Sequence, residues 1–392
     1  MKKALIIANL SGFLSKFEMN NVHILQDLGY EVHYASNTNA EVYDFRPELL
    51  RSEGVIFHNI KIARSPYMLH MNAAALRELI RIIDEEQITL IHCHTPVGGV
   101  LGRLAGALSR AKPKVIYTAH GFHFYQGAPL INNTVYKCAE FFLAHFTDVL
   151  VVINHEDYRN ASKMHLKKNG RVVLIPGEGI SHGKFAPVSE NERLEARRRL
   201  GISENTFFIL SVGELNLNKN HRVVIDAVQK ILEKNRIAEP LLYAICGEGY
   251  FREEAEEYIA EHKLTGSVKL MGYQDKIRSY YAAADITAFP SVREGLGMAA
   301  LESLAMGIPV IASDNRGTRE YMRNGVNGYI YRADDSNGFA EGICKINQLT
   351  GEERKRMSEN CIKSTGPFDI RNTEVIMRDI YSKLNEEISY EK

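Results

Sequence analysis

The chain has no surplus of charge: 48 Lys and Arg stand against 48 Asp and Glu over 392 residues. A neutral total gives no electrostatic reason to expect a nucleic acid partner. Cysteine is sparse, and the five present, Cys93, Cys138, Cys246, Cys344 and Cys361, form no Cys-x-x-Cys pair. That argues against a disulfide framework and fits a reducing cytoplasm. Nowhere does an apolar run reach the roughly 18 to 20 residues that cross a bilayer, so any membrane role would be peripheral. Lys2 and Lys3 ahead of Ala4 to Ala8 imitate the start of a signal peptide, but Asn9, Ser11 and Lys16 cut the apolar stretch short. A buried first strand is the better reading. No internal repeat is visible, and no Asp-x-Asp stands at a strand end to hold a divalent ion on a diphosphate.

What the sequence does have is a regular alternation of short apolar runs and helical stretches. Ala4 to Ala8, Glu31 to Ala35, Val55 to Ile60, Leu90 to Cys93, Val149 to Ile153 and Val172 to Ile175 read as strands, with helices at Phe17 to Leu28 and Asn72 to Glu86. A polar segment, residues 177 to 203, with Pro187 and a basic helical run from Arg193 to Leu200, reads as a linker entering a second domain. A second series follows at Phe207 to Val212, Leu241 to Cys246, Val268 to Met271, Asp285 to Phe289 and Val310 to Ser313, with helices at His221 to Glu233, Phe251 to Glu261 and Ile277 to Ala283. Such alternation predicts doubly wound parallel sheets, in domains of residues 1–185 and 186–365, with a last helix in 366–392. Ligands of these sheets sit beyond the carboxyl ends of the strands. That rule selects the loops at Gly12, at His92 to Gly99 and at Thr118 to Phe124.

The most informative stretch is Ser291-Val-Arg-Glu-Gly-Leu-Gly-Met-Ala-Ala-Leu-Glu302. An apolar strand precedes it, Glu294, Gly295 and Gly297 make a turn, and a helix runs from Met298 to Met306. Free amides at Gly297, Met298 and Ala299 and the positive end of the helix dipole suit a phosphate. Glu294 and Glu302 beside a diphosphate would repel it, so they are better placed to accept hydrogen bonds from sugar hydroxyls. The stretch asks for a sugar nucleotide.

Glu294 and Glu302 enclose seven residues and are followed by Gly307-Ile-Pro-Val310. In this the sequence closely resembles the Glu-x7-Glu signature of retaining glycosyltransferases of family 4. The resemblance implies the α/β fold called GT-B, two Rossmann-like doubly wound parallel-sheet domains facing a cleft, with the final helix crossing back to the first domain. It implies a nucleoside-diphosphate sugar as donor, most simply a UDP-hexose or UDP-N-acetylhexosamine, and no metal or other cofactor.

Carried over residue by residue, the resemblance puts Glu302 on the ribose and Glu294 on the hexose. Lys219, with the amides of Gly297 to Ala299, falls on the diphosphate. Ser211 to Asn220 matches the family's first nucleotide-binding loop, including Gly213 and Lys219, but Glu214 stands where the family has Arg. Gly247 and Gly249 match a Gly-x-Gly turn and Tyr273 a position that packs on the base, while Gly12, selected by its place after the first strand, is counted with the donor-binding residues. His120, followed by Gly121, matches a His that contacts the transferred sugar, which makes His120, Lys219 and Glu294 the catalytic candidates. Arg64, His94, Gly98 and His123 resemble acceptor-side elements of the subgroup making capsular, exopolysaccharide or undecaprenyl-diphosphate-linked glycans. That subgroup implies a glycan or polyprenyl-diphosphate-linked acceptor and peripheral contact with the inner face of the plasma membrane.

Bland readings compete at each position. Lys219 could be a surface lysine, His120 and His123 satisfied core histidines, and the acceptor elements ordinary turns. His92 and His94 at i, i+2 could ligate zinc, but spacing fixes no third ligand. Residues 1 to 185 carry twenty Lys and Arg against sixteen Asp and Glu, a mild excess that suits an anionic acceptor or simply a solvated face. Two other functions stay open: a sugar-nucleotide epimerase on the same fold, and a non-catalytic donor-binding subunit, which Glu214 favours.

Overall fold

In the computed structural model, which describes residues 2–39 and 44–390, the strands of the first half pair in parallel. They are β1 (Lys2–Ile7), β2 (Tyr30–Ser36), β3 (Ile56–Asn59), β4 (Leu90–Cys93), β5 (Lys114–Ala119), β6 (Val149–Val152) and β7 (Arg171–Leu174). Their order in the sheet is β3-β2-β1-β4-β5-β6-β7. A second parallel sheet comprises β8 (Phe207–Val212), β9 (Leu241–Cys246), β10 (Val268–Gly272), β11 (Ile286–Phe289), β12 (Val310–Ser313) and β13 (Gly328–Tyr331). Its order is β10-β9-β8-β11-β12-β13. The chain thus forms two α/β units, one running up to Gly179 and resuming at Ile370, the other Ile180–Asp369.

Both sheets reverse direction at their first strand, between β1 and β4 in one and between β8 and β11 in the other. The loops leaving those strands diverge and open a crevice at each switch point. They are the loops that carry Gly12 and His94 in the first unit, and Gly213 to Asn220 and Ser291 to Gly297 in the second.

Local chemistry explains the close layers. Strands β4, β6, β11 and β12 are buried along their whole length, as parallel strands covered on both faces must be. The helix Pro96–Leu108 lies unusually close to its sheet. A Cβ on Gly99 would fall 2.3 Å from the Tyr117 ring, one on Gly102 2.6 Å from Cys93 Cβ and one on Gly106 2.7 Å from Val115.

The segment read as a linker is largely built into the second unit. Ser189 and Glu192 form a capping box for the helix Glu190–Leu200, which Gly201 ends in a left-handed conformation. Its Arg197 is buried, bonds Asp285 Oδ2 at 2.7 Å and donates to the carbonyls of Ala283, Ser203, Glu204 and Thr206. The helical run expected at Arg193 to Leu200 is part of this helix, which a buried guanidinium, rather than an apolar stripe, fastens.

The carboxy-terminal helix Ile370–Tyr390 packs into the first unit through Met377, Ile380, Tyr381, Leu384 and Ile388. Lys2 Nζ donates to Asn385 O at 2.8 Å, Arg378 pairs with Asp27 at 2.7 Å, and Thr373 Oγ1 donates to Gly177 O at 2.9 Å. Strand β13 and the helices Pro47–Ser52, Ser336–Asn347 and Gly351–Thr365 complete the architecture beyond the elements expected. Among the described residues no helix is long and apolar enough to cross a membrane.

Candidate functional site

At the switch point of the second unit four loops, those after β8, β11, β12 and β13, are sewn together by main chain and by asparagine side chains. Val292 N donates to Asn218 O at 2.8 Å and Asn218 Nδ2 to Arg293 O at 2.9 Å. Asn220 Nδ2 reaches Ala333 O at 2.7 Å, and Asn315 Nδ2 reaches Ser291 O at 2.9 Å. The loop after β9 lies against the loop after β8, with Gly213 N bonded to Cys246 O and Leu215 N to Glu248 O, both at 3.0 Å. Here glycine is obligatory. A Cβ on Gly247 would sit 2.0 Å from Gly213 O, and one on Gly249 2.2 Å from Leu215 O. The Gly-x-Gly turn therefore first serves backbone packing, and through it positions Gly213 and Lys219.

Gly297 caps the helix Met298–Ala305 at φ 95°. A side chain there would strike Phe289 and the Tyr321 hydroxyl. Tyr321 is buried and donates to Leu296 O at 3.0 Å, which fixes the turn from beneath. Ala300 N already bonds Gly297 O, while first-turn amides such as those of Met298 and Ala299 have no partner in their own helix. In front of this turn Lys219 Nζ and Glu294 Oε1 are 2.6 Å apart, both mostly shielded. The two residues expected on diphosphate and hexose are thus brought together. Glu302, half-buried one turn along the same helix, accepts from the Tyr281 hydroxyl at 3.0 Å. Burial and then Glu302 push the Tyr281 pKa well up, so the phenol keeps its proton for this bond.

Two features depart from the expectations. Glu214 is exposed, and no cation replaces the family arginine on that loop beyond Lys219. A buried cation comes instead from the loop after β12: Arg316 donates from Nε to Glu294 O at 3.2 Å. The sequence reading passed over it, although its place directly after a strand end was a usable signal. His221, buried beside this loop, has its pKa lowered to about 4 by burial and then by Lys219, so it is neutral. Tyr273 is 62% exposed, on the loop after β10.

At the switch point of the first unit the chemistry is carried by side chains. His120 Nδ1 lies 2.8 Å from Glu178 Oε1, and His120 Nε2 lies 3.1 Å from His94 Nδ1. Burial disfavours the charged imidazole, but the Glu178 carboxylate outweighs it and raises the His120 pKa. Burial, with His92 and His120 alongside, drives the His94 pKa well below the usual range. Glu178 thus favours the protonated form of His120, whose Nε2 can donate to His94. Glu18 Oε1 stands 3.4 Å from His94 Nδ1, and burial lifts its pKa to about 7 against the pull of His120 and Asn21. Phe13 packs its ring on His94 and His120 at 5.3 and 5.4 Å.

This geometry alters several expectations. His94, expected to meet an acceptor, is wholly buried and instead supports His120, because strand alternation turns both His92 and His94 inward. Gly98 is likewise buried, its missing Cβ leaving room for Thr95 Oγ1 and Ala8 Cα. Gly12 belongs to the first unit, buried in the turn after β1, where its carbonyl accepts from Ser15 Oγ at 3.1 Å. Arg64 is exposed, and His123 is half-buried with its ring 5.3 Å from that of Tyr136. Glu18, His92 and His94 offer three ligand atoms close together. However, His92 already uses both nitrogens, toward Tyr381 at 2.7 Å and Thr118 at 2.8 Å, so the group is a poor metal site.

Residues 3–154 match the family described as glycosyl transferase 4-like, and residues 192–364 match glycosyl transferases group 1. The chain is 35% identical to EpsD of Bacillus subtilis, a protein assigned as a glycosyltransferase, over 97% of this chain and 96% of that one. It is 25% identical to the UDP-Gal:alpha-D-GlcNAc-diphosphoundecaprenol alpha-1,3-galactosyltransferase of Escherichia coli, covering 95% and 94%. Among solved structures, Anabaena HepE in complex with UDP-glucose superposes with a TM-score of 0.77 over 98% of this chain and all of that one, at 18% identity. At that identity the likeness concerns the fold.

Proposed function

This chain belongs to the group 1, family-4-like glycosyltransferases of GT-B fold, and from that premise we propose a retaining transfer of a hexose or N-acetylhexosamine from a UDP-sugar to a lipid-linked glycan acceptor. The observation that carries the reading is the Lys219–Glu294 pair, at 2.6 Å, set before the amino end of the helix bearing Glu302. Lys219 and the amides of Met298 and Ala299 receive the diphosphate. Glu294 takes hexose hydroxyls and Glu302 the ribose. Arg316 supplies the second positive charge that Glu214 does not, so the departing phosphate is still met by two cations. UDP is favoured because HepE was solved with UDP-glucose and the E. coli relative is named for UDP-Gal.

The first unit takes the acceptor, with the His120–Glu178 pair in its crevice. With no side chain offered as nucleophile, the acceptor hydroxyl attacks on the face from which UDP leaves. The departing phosphate oxygen accepts its proton while the cations hold the leaving group. The product enters cell-surface polysaccharide, made at the inner face of the plasma membrane, as the undecaprenol-linked substrate named for the E. coli relative suggests.

A thermal-shift screen against UDP, GDP, ADP and their sugar conjugates, without added metal, tests the donor. Stabilisation by UDP compounds, lost in Glu302→Ala, supports it. Stabilisation by GDP or ADP compounds alone overturns the choice of base. A second reading, a non-catalytic donor-binding subunit, rests on Glu214. It gains if UDP-sugars bind but are neither transferred nor hydrolysed.

A further inference from the structure

Large apolar side chains exposed on the second unit are scattered: Leu217, Tyr250, Tyr273, Val292 and Val326 sit on separate loops or turns. In the first unit Ile56, Leu108, Tyr158 and Val375 stand apart, but seven others fall in two stretches of chain. Leu130, 84% exposed, leads into a helical run in which Ile131, Val135 and Phe142 stand out, with exposed Cys138 and Ala139 between them. Positions 131, 135, 138 and 142 recur at helical spacing, so the outward face of this run is one apolar stripe. Soluble surfaces carry single apolar residues freely, but a contiguous stripe signals a contact.

A second exposed segment adjoins it. Tyr67, 75% exposed, and Leu69, 74% exposed, flank Met68, and the Tyr67 and Tyr136 hydroxyls are hydrogen-bonded. Within both segments the outward charges are positive, while Glu78 follows the second on its helix and Glu156 accepts from Gln126 N at 2.8 Å at the edge of the first. Residues 129–145 contain Lys137 and a single acid, Glu140, which turns inward to Arg103 Nη1 at 2.7 Å. Residues 64–77 contain Arg64 and Arg77 and no acid. A protein partner or a second copy would be expected to offer mixed charges at its rim, whereas an anionic bilayer surface asks for the arrangement seen.

We propose that this stripe, with Tyr67 to Leu69 beside it, lies in the interface of an anionic lipid bilayer, its helix parallel to the membrane plane. Helices of this kind bury an apolar face in the head-group region while cations meet lipid phosphate. The stripe is continuous with the loop after β5: Asn132 Nδ2 donates to His123 O at 2.8 Å, and Tyr125 N donates to Asn133 Oδ1 at 3.1 Å. The loop that carries His120 therefore begins at the membrane surface. This inference rests on the lipid-linked acceptor proposed above only for its purpose, since the surface chemistry stands without it.

The test is co-sedimentation of the full chain with vesicles of phosphatidylcholine, and of phosphatidylcholine mixed with phosphatidylglycerol. Binding to the mixed vesicles is expected, about tenfold or more tighter than to phosphatidylcholine alone. Ile131→Glu with Val135→Glu should weaken it about tenfold or more, and Tyr67→Ser with Leu69→Ser should weaken it about fivefold. All four positions are exposed, so the melting temperature and the shift with UDP should not change. Binding to neither vesicle, or binding that both double variants retain, overturns the proposal. So does a dimer that Ile131→Glu with Val135→Glu dissolves without any vesicle binding. Loss of the UDP shift in the parent chain with vesicle binding intact would instead sink the donor reading and leave this surface standing.

Discussion

The two switch points of this molecule have the same architecture and opposite construction. In the second unit the candidate site is made of backbone: glycine loops in contact, main-chain hydrogen bonds, and a short contiguous stretch from Glu294 to Glu302. In the first unit it is made of titratable side chains, Glu18 and His94 buried and His120 and Glu178 half-buried, drawn from four distant places in the chain. One crevice is shaped to accept an anion by geometry that does not titrate. The other holds a proton distribution that depends on pH. A doubly wound sheet specifies where a ligand sits and leaves open which kind of group receives it.

The sharpest way to break this contrast is to remove the charge that the second unit does contribute. Lys219→Ala should lower turnover about 10² to 10³-fold, the usual cost of losing one group that stabilises a departing anion. Glu294 then loses its partner, so Lys219→Arg is the control that retains charge at altered geometry and should recover part of the rate. Arg316→Ala should cost less, about tenfold, because its Nε is committed to the Glu294 carbonyl and its loss also loosens the turn. Single-turnover rates with a UDP-sugar separate these effects. A loss of only a few-fold in Lys219→Ala would mean that the helix amides and Arg316 suffice, and that the site is even more fully backbone-built.

Backbone construction is tested next by Gly247→Ala. Its Cβ would arrive 2.0 Å from a carbonyl oxygen, not from a side chain that can swing away. The two loops must part, which should cost about 3 kcal/mol of stability, at the upper end for overpacking. The UDP-induced shift should fall with it, because Lys219 hangs from the displaced loop. An unchanged melting temperature together with an unchanged UDP shift would show that the loop contact is not what positions the site.

The same difference in construction decided what could be read before the fold was known. Glu294, Gly297 and Glu302 lie within nine consecutive residues, so their turn-and-helix pattern is local, and Lys219 follows from the resemblance of Ser211 to Asn220 to the family's loop. For Arg316 the one signal is its place after the strand Val310 to Ser313, which is expected, and every residue of that loop shares it. Glu18 and Glu178 are single acids in ordinary polar stretches, and only the sheet order brings them to the same crevice. His94 was assigned to an acceptor because it lies past a strand end. Its burial depends on what covers that strand face, including Tyr381 on the last helix, and no local pattern contains that information. Strand β13 escaped because it is four residues long, opens on glycine and is only partly buried.

The smallest effect concerns the proton on Glu18, where the first unit should differ most clearly from the second. Burial raises its pKa to about 7, so the folded chain holds a proton that the unfolded chain releases above the ordinary carboxylate value of 4.5. A raised pKa contributes stability that is complete below about 4.5 and is lost as pH rises through about 7. Glu18→Gln keeps the neutral form at every pH and can still meet Asn21. The variant should match the parent near pH 5 and exceed it at pH 8, by on the order of 2 kcal/mol after allowance for relaxation around the charge. That corresponds to a rise of about 4 to 8 °C in the melting temperature of a unit this size. Melting curves of both proteins from pH 5 to 8 check it. A variant less stable than the parent throughout would mean that ionised Glu18 holds the charged His120 in place, so that the two carboxylates of the first crevice act as one counterion.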